Sequence, residues 1–152
     1  MSTRTDSPYR PSVPQRIANA VLTRLVRRGK GPSFIHLLTV HGRTSGRAYT
    51  MPVVPVTGDD GEVWLVSPFG DVGWVRNLRA VGRAELARGD QRRAYEAREL
   101  DTAAAVPVIR TYLSMPSERF VRKDFAVTAE STDPEIATEA PRHPVFALTP
   151  AP

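Results

Sequence analysis

The stretch that decides the fold runs from residue 37 to residue 56, LLTVHGRTSGRAYTMPVVPV, and sets two apolar runs around a basic turn. Both runs are rich in β-branched residues, which favour strands, and the glycines between them favour a turn. We therefore predict a hairpin. Pro52 and Pro55 cannot donate hydrogen bonds to a neighbouring strand, so the second strand should be an edge strand, bulged or interrupted.

The rest of the chain alternates strand patterns with fewer helical ones. Strand-like segments occupy residues 33–40, 48–56, 62–68, 83–89, 92–100 and 143–150. Helical periodicity occupies residues 14–28, 74–82, 102–115 and 133–140, with Asp71 and Asp101 as predicted N-caps of the second and third helices. Short turns join consecutive strands, which favours antiparallel pairing. The fold class is therefore α+β, mainly β: an antiparallel sheet with flanking helices, closed or partly closed as a barrel.

Amino-acid composition limits the classes of function that the chain can have. The 152 residues suit one domain, and the 41% apolar content suffices for one core. The absence of cysteine excludes disulfides, thiolate metal sites and cysteine nucleophiles. The net charge of +5 comes almost entirely from arginine and suits an anionic ligand, a nucleic acid or an anionic membrane.

The amino-terminal region divides into two parts. Residues 1–13 are polar and proline-rich, which predicts a flexible arm before a single domain at 14–150. Their lack of an apolar core argues against a secretory signal, so we expect a cytoplasmic protein. Residues 14–28 form a basic amphipathic pattern. Either its apolar face docks on the domain, or it makes a peripheral membrane contact.

Two segments have the chemistry of an anion site. In HGRTSGR, Arg43 and Arg47 supply guanidinium groups, the residues between them supply hydroxyls, and the glycines allow close backbone approach. A solvated hairpin loop is an equal alternative. In SPFGDVGWVRN, an open glycine-rich loop precedes a helix amino terminus, whose free amides also favour anions.

Several catalytic motifs are missing. The three histidines lack metal-ligand spacing, so no metal site is predicted. The sequence contains no Gly-x-Ser-x-Gly, no phosphate-binding Gly-x-x-x-x-Gly-Lys-[Ser/Thr] and no Gly-x-Gly-x-x-Gly after a strand. Basic residues do not cluster with aromatic ones, so a nucleic-acid partner is not expected.

The segments LLTVHGRTSGRAYTMPVVPV, VWLVSPFG, GWVRNLRA and HPVFALTP, taken together and in this order, resemble the deazaflavin-dependent nitroreductase family. These are actinobacterial oxidoreductases that use reduced coenzyme F420. The resemblance spans residues 33–150 and implies a split β-barrel of the FMN-binding type. It implies an F420-dependent reductase that passes a hydride to a quinone, an activated alkene or a nitro compound.

The resemblance also implies site residues. The coenzyme phosphate and its oligoglutamate tail would bind Arg43, Thr44, Ser45, Gly46 and Arg47. The deazaflavin ring would rest on Met51, Pro52, Val53, Ser67, Pro68, Phe69 and Gly70. Flanking positions would be Trp74, Arg76 and Asn77. Ser67 could hydrogen-bond the ring or substrate, and Tyr112 could line the acceptor pocket, so these two are the candidate catalytic residues.

The chain departs from the family pattern where a lysine is replaced by Thr44 and a basic residue by Pro68. Alternatives therefore remain open. One is a binding-only member that holds a lipid, a fatty acid or the cofactor without turnover. Another is a split-barrel protein that binds FMN or haem. The partner is a small-molecule acceptor, and the protein is a monomer or a homodimer.

Overall fold

The computed structural model describes residues 11–152, so most of the predicted arm 1–13 lies outside the described residues. The first helix, α1 (Val13–Arg27), is one residue earlier at each end than predicted. Its start follows from the sequence. Ser12 and Gln15 form a reciprocal capping box, and Pro14 occupies the first turn, where a missing N–H costs nothing.

Seven strands within residues 11–152 form one sheet. They are β1 (His36–His41), β2 (Ala48–Val53), β3 (Val56–Thr57), β4 (Val63–Val66), β5 (Arg83–Arg88), β6 (Gln91–Glu99) and β7 (Val145–Pro150). Their order is β2-β1-β5-β6-β7-β4-β3, with every neighbouring pair antiparallel. The sheet curls into a half-barrel, which confirms the predicted α+β split-barrel class.

Helices and short 3₁₀ turns cover the sheet. The α-helices are α2 (Gly73–Val81), α3 (Thr102–Leu113) and α4 (Asp133–Glu139). The 3₁₀ turns lie at Pro116–Phe120, Arg122–Asp124 and Ala140–Arg142. Asp101 caps α3 as predicted, since its carboxylate accepts the N–H of Ala104 at 2.9 Å.

The opening stretch forms the predicted hairpin, but its second strand is not continuous. β1 pairs with β2 from His36 opposite Val53 to His41 opposite Ala48. The chain then leaves the ladder at residues 54 and 55 and re-enters the sheet as β3, at the opposite edge. The prediction that the prolines make this an edge strand and interrupt it is therefore confirmed, while the re-entry at the opposite edge was not predicted. Because Pro55 has no N–H to donate, the ladder ends there and the chain crosses between the two edges.

The predicted cap of α2 is also wrong. Val72 occupies the N-cap position and makes no side-chain capping bond. Asp71 instead accepts from Arg76 at 3.2 Å and from Arg79 at 3.0 Å. The helix ends at Gly82, whose left-handed φ of 72° is a conformation that glycine adopts readily.

The core consists of two apolar clusters. One lies inside the curl of the sheet, where Leu38, Leu65 and Phe146 meet the buried face of α2. The other lies between α3, α4 and the β3–β4–β7 side of the sheet, around Ile109 and Ile136. The first cluster fixes α2 against the β1 end that carries the basic turn.

Helix α1 docks on the domain only through part of its apolar face. Val26 is fully buried, and its carbonyl accepts the N–H of Gly89 at 3.0 Å. The remaining apolar positions form an exposed stripe at spacings of four residues. This stripe consists of Val13, Ile17, Val21 and Leu25, which are 65%, 61%, 54% and 39% exposed.

Candidate functional site

The basic turn spans residues 42–47, between β1 and β2. Two backbone bonds close it: Gly42 donates to the carbonyl of Arg47 at 2.8 Å, and Gly46 donates to the carbonyl of Gly42 at 3.0 Å. Gly46 has a φ of 70°, in the left-handed region. A Cβ on Gly42 would lie 2.7 Å from the hydroxyl of Ser45, so only glycine fits the turn without displacement.

Asn77 ties this turn to α2. Its side-chain Oδ1 accepts the backbone N–H of Arg43 at 3.1 Å and the Nη1 of the same residue at 2.8 Å. Asn77 is only 8% exposed whereas Arg43 is exposed, so both bonds are partly shielded from water. The two anion-type segments of the sequence, 34 residues apart, therefore form one structural unit.

The turn presents positive charge that the described residues do not neutralise. Across residues 11–152, no carboxylate lies within ion-pair distance of Arg43 or Arg47. In the same range, the backbone N–H groups of Thr44 and Ser45 have no acceptor in the chain. The hydroxyl oxygen of Ser45 accepts the N–H of Arg47 at 3.2 Å, so its hydrogen is free to donate. These donors match the oxygens of a phosphate or carboxylate.

The loop 67–72 leads into α2. Ser67 is completely buried, and its hydroxyl donates to the carbonyl of Gly70 at 2.6 Å. Its backbone N–H donates to the carbonyl of Pro144 at 2.9 Å. In this arrangement the Ser67 side chain holds the loop, and its predicted contact with ring or substrate remains a prediction. The first three amides of α2 have no acceptor among the described residues, which leaves a positive helix end at this loop.

The remaining predicted ring contacts differ in accessibility. Met51 and Val53 point toward the inner face of the sheet, while Pro52 points to the other face, because strand residues alternate. Trp74 is half-buried and packs against Phe146, with ring centroids 6.1 Å apart. Pro68 is half-buried and Phe69 is 38% exposed. Arg76 is exposed and paired with Asp71, so its charge is partly compensated.

A buried polar cluster lies beneath the loop, and sequence reasoning missed it. His143 and Glu139 are 3% and 6% exposed and face one another at 2.9 Å. The imidazole also meets the backbone carbonyl of Ser67 at 3.1 Å and stacks on Phe125. The sequence contains one indication of this pair, because Glu139 and His143 are four residues apart and such a spacing puts both side chains on one side of a helical turn.

Tyr112 belongs to the same cluster. It is 5% exposed and packs on Phe125 at 5.9 Å between ring centroids. Burial, reinforced by the carboxylate of Asp124, raises the pKa of Tyr112. Burial likewise raises the pKa of Asp124, although Lys123 and His143 oppose the shift. Tyr112 is therefore a neutral phenol at neutral pH, and its contact with an acceptor remains a prediction.

A cavity of about 290 Å³ lies at the other end of β1, and none of the predicted site residues lines it. Its walls include His36, Arg88, Arg93 and Tyr95. Burial lowers the pKa of His36, opposed by a hydrogen bond to Phe34 and aided by the charge of Arg88. No group of three or more potential metal ligands occurs in the described part of the chain. In that part, too, every helix is too short or too polar to cross a bilayer.

Comparison with known proteins gives a family and a fold. The model of a family described as F420H(2)-dependent quinone reductase matches residues 14–138. No curated protein matches. A solved F420-H2 dependent reductase (FDR-A) is 20% identical, with 76% of this chain and 94% of that chain covered and a TM-score of 0.53.

Two further solved structures share the architecture. One described as a domain-swapped dimer is 20% identical, with 90% of this chain and 99% of that chain covered and a TM-score of 0.56. The heme storage protein HutZ from Vibrio cholerae is 11% identical, with 88% and 89% covered and a TM-score of 0.51. At these identities the similarity establishes the fold alone.

Proposed function

Because this chain belongs to the F420H(2)-dependent quinone reductase family, we propose that it reduces a quinone-type acceptor at the expense of reduced F420. Family membership makes it an oxidoreductase with F420 as its cofactor. The observation that carries the proposal is the basic turn, which Asn77 holds against α2. Within residues 11–152, its two arginines have no carboxylate partner and its two central backbone amides have no acceptor.

The turn fits the anionic part of F420. Arg43 and Arg47 would pair with the phosphate or the glutamate carboxylates, and Thr44 and Ser45 would donate from amides and hydroxyls. The space beside Gly46 is open to a ligand, because no atom of the described residues, its chain neighbours aside, lies within 4 Å of the position that a Cβ would take there. The lysine of the family pattern is replaced by Thr44. The two arginines make up for the missing lysine, because a guanidinium group binds phosphate or carboxylate with two parallel hydrogen bonds.

The ring would lie at the open edge of β2. Met51 and Val53 face one side of the sheet and Pro52 faces the other. One planar ring can therefore contact all three residues only along their backbone, at the sheet edge that β2 forms. Loop residues Pro68, Phe69 and Gly70, with Trp74, would form the facing wall. When bound, reduced F420 supplies the hydride, and the protein supplies orientation, charge and exclusion of water.

Titration of the purified protein with F420 tests the proposal, followed by F420H2 oxidation with quinones, activated alkenes and nitro compounds as acceptors. We expect binding at micromolar concentrations and the fastest turnover with quinones. Absence of binding would refute the cofactor assignment, and binding without oxidation of F420H2 by any acceptor would favour the binding-only alternative. A flavin or haem absorbance band in the protein as purified would favour the alternative of a split-barrel protein that binds FMN or haem.

We also propose that α1 docks on an anionic membrane surface, where lipid-soluble quinones reside. Its exposed apolar stripe is accompanied by arginines, and the chain has no acidic residue between Asp6 and Asp59. Eight lysines and arginines fall in that interval. Each basic residue near an anionic bilayer contributes about 1 kcal/mol, in addition to the burial of the apolar stripe.

Co-sedimentation with vesicles tests this docking. The full chain should bind phosphatidylglycerol vesicles and not phosphatidylcholine vesicles. The double variant Ile17→Asp, Val21→Asp should lose binding, whereas Phe120→Asp, at an apolar side chain that is likewise 61% exposed, should retain it. Equal binding by both variants would contradict the proposal. A stable dimer in solution would also contradict the proposal if the Ile17/Val21 double variant dissociated it, because the second copy of the chain would then cover the apolar stripe.

A further inference from the structure

A histidine–glutamate pair is buried directly beneath the loop 67–72. His143 follows the 3₁₀ turn after α4, and Glu139 is the last residue of α4. With 3% and 6% of their surfaces exposed, both are shielded from water, although polar groups at such depth are unfavourable unless they are paired. Neither residue belongs to the cofactor residues implied by the family pattern.

The contacts of the imidazole fix where its protons are. Its Nδ1 lies 3.1 Å from the carbonyl oxygen of Ser67, which can only accept, so Nδ1 carries a hydrogen and donates it. Its Nε2 lies 2.9 Å from the carboxylate Oε1 of Glu139, so one further proton is shared between those two atoms. The same Oε1 accepts the backbone N–H of Ala126 at 3.3 Å, which helps to hold the side chain of Glu139 in place.

The imidazole ring is also held across its face. Phe125 stacks on it with ring centroids 3.8 Å apart and planes inclined by 17°, and Tyr112 in turn packs against Phe125. Two other charged groups face the pair. Asp124, which also interacts with Lys123, interacts electrostatically with His143, and Nη1 of Arg142 lies 4.0 Å from Oε2 of Glu139. With both nitrogens bonded and one face stacked, the ring has a single orientation.

Through His143, the pair acts on Ser67. The N–H of Ser67 donates to Pro144, its carbonyl accepts from His143, and its hydroxyl donates to Gly70. All three polar groups of the first loop residue are thereby fixed. The last of these bonds sets the position of Gly70, at the end of the segment predicted to face the deazaflavin ring.

We propose that His143 is a positioning residue, which holds the loop 67–70 in its cofactor-binding shape through the hydrogen bond from Nδ1 to Ser67, while Glu139 orients the imidazole. The cofactor part of this inference rests on the proposed function. His143 itself touches neither cofactor nor acceptor. Its effect is expected on F420 affinity, with the acceptor KM unchanged.

Two isosteric substitutions separate the two ring nitrogens. His143→Asn places an amide N–H near the position of Nδ1 and loses the contact with Glu139. His143→Gln places one near Nε2 and loses the contact with Ser67. Each variant breaks one buried bond, so a purely structural role predicts similar melting temperatures and similar behaviour of the loop. A positioning role predicts that the Gln variant alone loosens the loop.

The measurement is amide hydrogen exchange in the cofactor-free protein, together with F420 titration. Exchange at Ser67 and Val72, whose N–H groups are bonded, should accelerate roughly tenfold in His143→Gln, equivalent to about 1.4 kcal/mol, and stay near wild type in His143→Asn. F420 affinity should fall by a similar factor in the Gln variant only. Equal exchange and equal affinity in the two variants would overturn the proposal.

Nitrogen NMR of the wild-type imidazole provides a test that does not depend on variants folding. A protonated Nδ1 is expected, and an unprotonated Nδ1 would overturn the proposal. The exchange data also separate this inference from the proposed function. If wild-type protein binds no F420, the reductase proposal fails, while the exchange comparison still decides whether His143 holds the loop.

Discussion

Replacing Asn77 with alanine tests whether the basic turn and α2 form one unit. The substitution removes the oxygen that accepts two N–H groups of Arg43, one from the backbone and one from the guanidinium. The guanidinium can turn to solvent, but the backbone N–H of a partly buried turn cannot, and such an unpaired group costs about 1–3 kcal/mol. For a chain of this length, a loss of about 2 kcal/mol lowers the melting temperature by roughly 4–8 °C.

Thermal unfolding followed by circular dichroism measures this effect, and F420 titration measures its consequence for binding. Asn77→Asp is the matched control, because it keeps the acceptor but places a negative charge beside Arg43. We expect it to preserve most of the stability while weakening F420 binding. The reasoning is refuted if Asn77→Ala melts within about 2 °C of wild type, the shift expected from less than about 1 kcal/mol. It is also refuted if the aspartate variant loses as much stability as the alanine variant.

Three further predictions concern the turn and the opposite end of β1. Arg47→Gln should weaken F420 binding in a salt-dependent way without changing the melting temperature, whereas Arg98→Gln, at an exposed arginine on β6, should change neither. Gly42→Ala should weaken F420 binding about fivefold, or about 1 kcal/mol, since its Cβ would displace Ser45, and unchanged affinity would contradict this. Burial lowers the folded-state pKa of His36 below its ordinary value near 6.5. The contribution to stability is therefore fully present above that value and is lost as the pH falls below it through the lower folded-state pKa. The melting temperature should therefore fall less steeply between about pH 7 and pH 5 in His36→Gln than in wild type, and identical slopes would exclude this explanation.

Local patterns predicted most elements of the fold because their causes are local. The capping of α3 by Asp101 follows from side-chain chemistry within one turn. The hairpin around Gly89 follows from glycine and alternation over a few residues. The cap of α2 was predicted incorrectly because the helix begins one residue later than a cap at Asp71 requires, with Val72 at the N-cap position. The carboxylate of Asp71 bonds Arg76 and Arg79 instead, and Arg79 also reaches Glu99 on β6.

In the candidate site, too, some features follow from the local sequence and others depend on tertiary packing. The sequence was sufficient to identify an arginine-rich turn, and the family pattern predicts an anionic ligand for it. It could not indicate that Asn77 joins the turn to α2, because that bond links residues 34 positions apart whose proximity depends on the packing of α2 inside the curled sheet. Ser67 was predicted as a residue facing the ligand, yet burial directs its hydroxyl to Gly70.

By itself, the sequence determined the element types, the antiparallel pairing, the basic character of the turn and, through the family pattern, the cofactor. Those features depend on periodicity, turn chemistry and charge, which act over a few residues. The tertiary structure alone decided that α1 leaves its apolar stripe exposed, that the chain crosses from one sheet edge to the other at Pro55, and that His143 and Glu139 meet beneath Ser67. Each of these depends on which distant surfaces come into contact, and burial and pairing energies are fixed only when those surfaces meet.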